Sequence, residues 1–232
     1  MSAGFRVIEG GRSEDPSPGL LIVGAAEVAT MAGGVRSGPT QAQIGRLTTG
    51  VGLDPATDGP AVACWEGRIA AVGPRSKVEA ALEAEGYPLG RFARLDVDGG
   101  VVTPGLIDPH THLLFGGSRE GELVLRQQGA SYMDILAAGG GILSTVAATR
   151  ASDAETLAAH GRRWLDEMLG HGVTTIEAKS GYGLDLETEI RLLQVAWDLG
   201  REGPIDIVPT FFVVHAVPSE FRDRPDGVEA YV

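Results

Sequence analysis

The sequence predicts an α/β chain in which a small β-rich unit is followed by right-handed parallel β-α-β units. Three observations predict it. Short apolar runs broken by Gly and Pro dominate the first hundred residues. After Val101, strand-like and helix-like stretches alternate. The later strands (VTTIEAKS, IDIVPTFFVV) are nearly continuously apolar, as in parallel sheets buried on both faces.

In the first unit, residues 20–30 (LLIVGAAEVAT) read as a strand. Residues 61–73 (AVACWEGRIAAVG) read as a second, with a hairpin-like turn at Glu66-Gly67. Between them, 31–60 are rich in Gly, Thr and Pro without periodicity, the pattern of a flexible insertion. A short helix is expected at Ala80–Glu85 and a third strand at ARLDVDG. Residues 1–99 thus form the small unit and 100–232 the second.

In the second unit, Ser152 and Glu155 have the spacing of a capping box, and Leu157, Trp164, Leu165, Met168 and Leu169 share one helical face until Gly170 and Gly172. After the strand VTTIEAKS, Asp185 can cap a helix whose Ile190, Leu193, Ala196 and Trp197 recur at helical spacing up to Gly200 and Gly203. The strand IDIVPTFFVV follows. Parallel sheets carry their chemistry at the carboxyl ends of their strands. His110 and His112 follow VVTPGLID, Lys179 and Tyr182 follow VTTIEA, and His215 follows TFFVV, so three strands should deliver titratable groups to one rim.

Composition narrows the partners. A net charge of -12 and a pI near 4.8 leave no basic patch for nucleic acid or anionic lipid. The apolar run near the start follows the acidic EGGRSEDPSPG, unlike the basic beginning of a signal peptide. No stretch is expected to reach the roughly 20 apolar residues of a membrane span. Cys64 is the only cysteine, which excludes an internal disulfide and a thiolate metal cluster and fits a reducing cytoplasm. It reads as a small core filler.

The histidine pair is the sharpest signal. Residues two apart on a strand point to one side, so His110 and His112 can turn both imidazoles toward one ion. Neutral imidazoles suit Zn²⁺ or Fe²⁺. In isolation, an H-x-H pattern is more often one turn-capping and one packed histidine. Here the context decides: PGLIDPHTH (104–112) resembles the first barrel strand of the amidohydrolase superfamily, where two histidines hold the metal. FGGSRE (115–120), QGASYMDILAAGGGI (128–142), GVTTIEAKSGYGLDLETE (172–189) and HAVP (215–218) resemble the imidazolonepropionase family within it.

That resemblance implies an incomplete (β/α)₈ TIM-type barrel preceded by part of a small β-sandwich domain. It also implies metal-dependent hydrolysis of 4-imidazolone-5-propanoate to N-formimino-L-glutamate in histidine degradation. Its implied roles are His110 and His112 as ligands of one divalent ion, Zn²⁺ or Fe²⁺; Arg119 and Tyr182 as substrate contacts; and His215 as a substrate contact and catalytic group. A homodimer is left open. Lys179 could bridge two metals as a carbamate, but SGYG does not resemble the enzymes that do so, and the residue reads as structural. His160 and His171 read as surface or packing residues, and Gly139–Gly141 as a turn. A closed barrel needs about 250 residues and 132 follow residue 100. The chain is therefore expected to hold three barrel strands and to be inactive alone. Hydantoinase-type or deaminase-type chemistry, or a metal-binding module without catalysis, are the alternatives.

Overall fold

In the computed structural model, which describes residues 18–222 and 224–231, the apolar stretch 20–30 makes two strands, β1 (Gly19–Val23) and β2 (Glu27–Ala29). Gly24 separates them at φ 73, where a Cβ would meet Asp96 Oδ1 at 2.1 Å; only glycine fits both demands. Residues 31–60, read as an insertion, include a 3-10 turn at Gly38–Gln43, the strand β3 (Arg46–Thr48) and the short helix α1 (Pro55–Asp58). The expected hairpin is present as antiparallel β4 (Pro60–Trp65) and β5 (Arg68–Pro74). Glu66 and Gly67 at its tip have φ 47 and 76, the left-handed pair whose twist suits a two-residue turn.

Helix α2 (Arg75–Ala84) starts five residues earlier than its apolar spacing suggested, and buries Val78 and Leu82. These pack with Leu21, Val23, Ala61 and Ala63. Strand β6 (Phe92–Asp96) lies parallel to β1, completing a sheet of order β5-β4-β1-β6. The run VVTPGLID is not one strand. Its first residues form β7 (Val101–Val102), which pairs with β2 in a second sheet of order β3-β2-β7. Cys64 is a free, half-buried thiol, and burial raises its pKa, as suits a packing residue.

The chain divides into two units between Pro104 and Gly105. In the second, β8 (Leu106–Thr111), β9 (Val173–Lys179) and β10 (Asp206–Thr210) form a parallel sheet of order β10-β9-β8. Helices α3 (Glu120–Gln127), α4 (Tyr132–Ala137), α5 (Ile142–Ala151) and α6 (Ala154–Gly170) connect β8 to β9, and α7 (Leu186–Glu202) connects β9 to β10. Beyond β10 lie a 3-10 turn (Val213–His215) and the short α8 (Ser219–Arg222) and α9 (Gly227–Tyr231). IDIVPTFFVV is therefore strand only to Thr210. Phe212 leaves the sheet, its N–H donating to Ser180 Oγ at 2.9 Å.

Two details of the helices differ from the sequence reading. The cap of α6 is Asp153, whose carboxylate accepts the Thr156 N–H at 2.8 Å. Ser152 instead donates its hydroxyl to Ala148 O, closing α5. In α7, Asp185 caps as expected, but the inner face is Glu189, Leu192, Val195, Ala196 and Leu199, while Ile190 and Trp197 are exposed. The helix carries two overlapping apolar stripes, and the sheet takes the second. Likewise Leu157 and Leu165 of α6 are buried, but Trp164 and Leu169 face outward.

Residues 132–151 have the length and mean hydropathy of a membrane span, contrary to expectation. They form two helices parted by Gly139 (φ 83) and Gly141 (φ 73), with Ile135, Thr145, Val146 and Thr149 buried.

The core of this unit joins β9, α6 and α7 through Leu157, Leu165, Ile176, Leu192, Val195 and Leu199, with Leu113 and Leu114. Leu192→Ala should cost about 2–5 kcal/mol, because a rigid sheet and helix cannot collapse fully into the void. A urea titration should show a lower midpoint with an unchanged slope.

Candidate active site

The strand β8 does not run straight to its end. Its register with β9 shifts between Asp108 and Thr111, and Asp108 Oδ1 accepts the His110 N–H at 3.2 Å. Thr111 turns inward, donating its hydroxyl to Glu177 O at 2.7 Å. His110 is exposed and His112 half-buried, with ring centres 6.1 Å apart and planes at 66°.

Two loops converge on His112. Its ring centre lies 4.7 Å from that of Tyr182, which follows β9, and 4.8 Å from that of His215, which follows β10. Tyr182 and His215 are themselves 5.5 Å apart, and Phe212 closes on His215 at 5.3 Å. The expected common rim therefore exists for His110, His112, Tyr182 and His215.

Burial, reinforced by the neighbouring His215 and His110, lowers the pKa of His112 below the usual imidazole value. The ring is thus neutral at neutral pH, the form that ligates metals. Among the described residues its Nδ1 is buried without a hydrogen-bond partner, an uncompensated polar atom of the kind an ion or ligand satisfies. The pair of imidazoles suits a divalent ion in donor chemistry. Among the described residues no group of three or more His, Cys, Asp or Glu is placed to hold a metal, and two imidazoles by themselves do not complete a metal site.

Lys179 is already engaged. Its Nζ lies 2.5 Å from Glu177 Oε1, which also accepts the Thr210 hydroxyl at 2.7 Å. Lys179 first, then Thr210, holds the Glu177 carboxyl below its usual range. Glu177 thus links β9 to Thr210 of β10, and Lys179 pairs with it from the same strand.

Arg119 and Tyr182 line a 510 Å³ cavity with His112, Phe115 and His160. One edge of the Arg119 guanidinium is occupied: Nε and Nη2 donate to Glu122 Oε2 at 3.1 and 3.0 Å. Glu122 Oε1 accepts the Gly141 N–H at 2.6 Å. The Arg119 bond, then the Gly141 bond, keeps the Glu122 carboxyl below its usual range. A carboxylate already orients the arginine, and among the described residues Nη1 has no hydrogen-bond partner.

His160 is more than a surface residue. The Trp164 indole N–H donates to its Nε2 at 2.9 Å, so the proton sits on Nδ1 and faces Phe115 O at 3.0 Å. A fixed neutral tautomer forms one wall of the cavity. His171 is exposed just after α6. Glu189 and Arg150, which hold the Tyr182 loop, went unassigned in the sequence. The signal for Glu189 was its helical register with Leu192 and Ala196, a carboxylate in an apolar stripe.

Residues 101–183 match the Amidohydrolase family. The chain is 58% identical over 132 residues to the imidazolonepropionase of Alkaliphilus metalliredigens (strain QYMF), covering 57% of this chain and 31% of that protein. It is 47% identical over 195 residues to the imidazolonepropionase of Haloarcula marismortui, covering 84% of this chain and 45% of that protein. Among solved structures, a triazine hydrolase from Arthobacter aurescens aligns with a TM-score of 0.47 at 18% identity, over 84% of this chain and 35% of that one. The chain thus spans under half the length of the curated relatives it matches. It carries the amidohydrolase pattern at residues 101–183 and resembles the N-terminal-to-middle part of the imidazolonepropionases.

Proposed function

We propose that this chain contributes the first part of a metal-dependent cyclic-amide hydrolase that opens 4-imidazolone-5-propanoate to N-formimino-L-glutamate in cytoplasmic histidine degradation. The observation that carries the reading is the meeting of His112, Tyr182 and His215 from three successive loops, within a sequence that resembles imidazolonepropionases. Residues 100–232 are read as the opening strands of an incomplete (β/α)₈ barrel, and residues 1–99 as part of a small β-sandwich domain.

His110 and His112 would hold one divalent ion, Zn²⁺ or Fe²⁺, with further ligands from outside the described residues. Such an ion supplies Lewis acidity, which brings the pKa of water from about 15.7 toward 7. The chain's own groups do the rest. Tyr182, between Gly181 and Gly183, presents a phenol to the ring of the substrate. His215, in contact with both Tyr182 and His112, donates to the oxygen on which charge develops as the ring amide is attacked. Arg119 takes the propionate carboxylate through Nη1, its plane fixed by Glu122. Phe115 and Phe212 flank these groups and limit the access of bulk water.

The test is turnover by the gene's full translation product loaded with Zn²⁺ or Fe²⁺, with N-formimino-L-glutamate followed by NMR. Hydrolysis of a hydantoin or deamination of a pyrimidine, with the imidazolone untouched, would replace the substrate assignment. Metal retention without turnover of any cyclic amide would reduce the site to a binding module. In the active protein, Arg119→Ala should raise KM by about tenfold or more, since charge-assisted bonds contribute roughly 1.5–3 kcal/mol, while kcat changes less. An unchanged KM would remove the carboxylate role.

A further inference from the structure

Tyr182 can meet His112 only if the loop between β9 and α7 is fixed, and that loop is unusual. Gly181 has φ 113 and Leu184, a branched residue, has φ 53 while 1% exposed. Glycine takes such an angle freely, but Leu184 holds its own only because its surroundings impose it. The surroundings are two charged side chains acting on opposite sides of the backbone.

Glu189 of α7 is 0% exposed. Its Oε2 accepts the Gly181 N–H at 2.7 Å, and its Oε1 accepts those of Gly183 and Leu184 at 2.7 and 2.8 Å. Arg150, near the end of α5, donates Nε to Gly183 O at 2.6 Å and Nη2 to Leu184 O at 3.0 Å. The same guanidinium reaches Asp185 at 2.8 Å and Glu220 of α8 at 2.9 Å. Ordinary helix capping does not account for Glu189, because Asp185 caps α7 and all three amides bonded by Glu189 precede that cap.

We infer that Glu189 and Arg150 are positioning residues that hold Tyr182 against His112 and His215. Through Glu220, Arg150 also ties the loop after β9 to the segment that carries His215. Glu189 grips N–H groups of Gly181, Gly183 and Leu184 and Arg150 the C=O groups of Gly183 and Leu184, so the backbone is held on both sides of Tyr182. The catalytic consequence rests on the proposed function; the clamp itself does not.

Amide exchange and ring contacts measured by NMR on the chain test the two separately. In the wild type, the amides of Gly181, Gly183 and Leu184 should exchange as slowly as those of Leu192 and Val195; exchange at free-loop rates would overturn the clamp without any variant. Glu189→Gln has a single acceptor oxygen, so at least one loop amide meets a donor in place of an acceptor. Loop exchange should then rise about tenfold or more while α7 stays protected, and the nuclear Overhauser contacts from Tyr182 to His112 and His215 should weaken. Arg150→Lys, which cannot serve two carbonyls and two carboxylates at once, should weaken the same contacts with the bonds to Glu189 intact. It decides the matter if Glu189→Gln does not fold. Undisturbed Tyr182 contacts in the folded variants would overturn the proposal.

Kinetics separate positioning from simple support. With a wild type that turns over the imidazolone, Glu189→Gln should raise KM at unchanged bound metal; a loosened loop with an unmoved KM would count against positioning. If the wild type leaves the imidazolone intact, the proposed function fails while the exchange data still decide the clamp.

Discussion

His110→Ala and His112→Ala are both expected to release the metal and abolish turnover, yet to differ in what they do to the metal-free chain. The reason for the shared loss is that the described residues offer no group of three or more His, Cys, Asp or Glu to hold an ion. With one imidazole gone, the chain has a single nitrogen donor and no chelate. The difference follows from burial. His110 is exposed, with the His112 ring 6.1 Å from its own, so its removal should leave metal-free stability within about 0.5 kcal/mol. His112 is half-buried among Tyr182, His215 and Phe212, and its loss opens a void there. The metal-free His112→Ala chain should melt at a lower temperature. Metal content after dialysis and calorimetry of the metal-free proteins measure the two effects. Full metal retention by His110→Ala would remove the proposed centre.

The contrast between these histidines and the rest of the site shows what a sequence discloses. Asp185 before a helix and the Glu66-Gly67 turn between strands are local statements. Each depends on neighbours within a few residues, so each was legible. The alternation of strands and helices was legible for the same reason. Strands of two and three residues, β7 and β3, are too short to carry a pattern, and they exist by pairing with β2. The inner faces of α6 and α7 were misjudged because both helices carry apolar residues on more than one side. Only the sheet decides which stripe is buried. His160 was read only as a surface or packing residue, because the carbonyl that fixes its ring, Phe115 O, lies 45 residues away. Arg119 was singled out in the sequence, but Glu122, which fixes its plane, was not. Long-range partners give a polar residue its meaning, and spacing does not record them.

Gly181→Ala should inactivate the proposed enzyme almost as fully as loss of a metal ligand, although it removes no chemical group. At φ 113 an alanine adopts a conformation that L residues rarely take, which costs about 1–3 kcal/mol. Its Cβ would also lie 2.8 Å from Phe212 O and 3.0 Å from the His215 Cβ. The loop cannot retreat, because the Gly181 N–H is bound to Glu189 at 2.7 Å and the next residues are gripped by Arg150. Phe212 cannot yield freely either, with its N–H donated to Ser180 Oγ. The strain must therefore move His215 away from His112 and Tyr182, or break the bond to Glu189. Either result separates the groups that act on the substrate, and a displacement near 1 Å costs about a hundredfold in rate. The effect on metal should be slight, since His110 and His112 stand on β8 and just after it, outside this loop. The expected signature is a fall in kcat/KM of about a hundredfold or more, with metal content unchanged and the melting temperature lowered. Gly181→Ala with wild-type kcat/KM would show that the contact between Tyr182 and His215 plays no part in turnover.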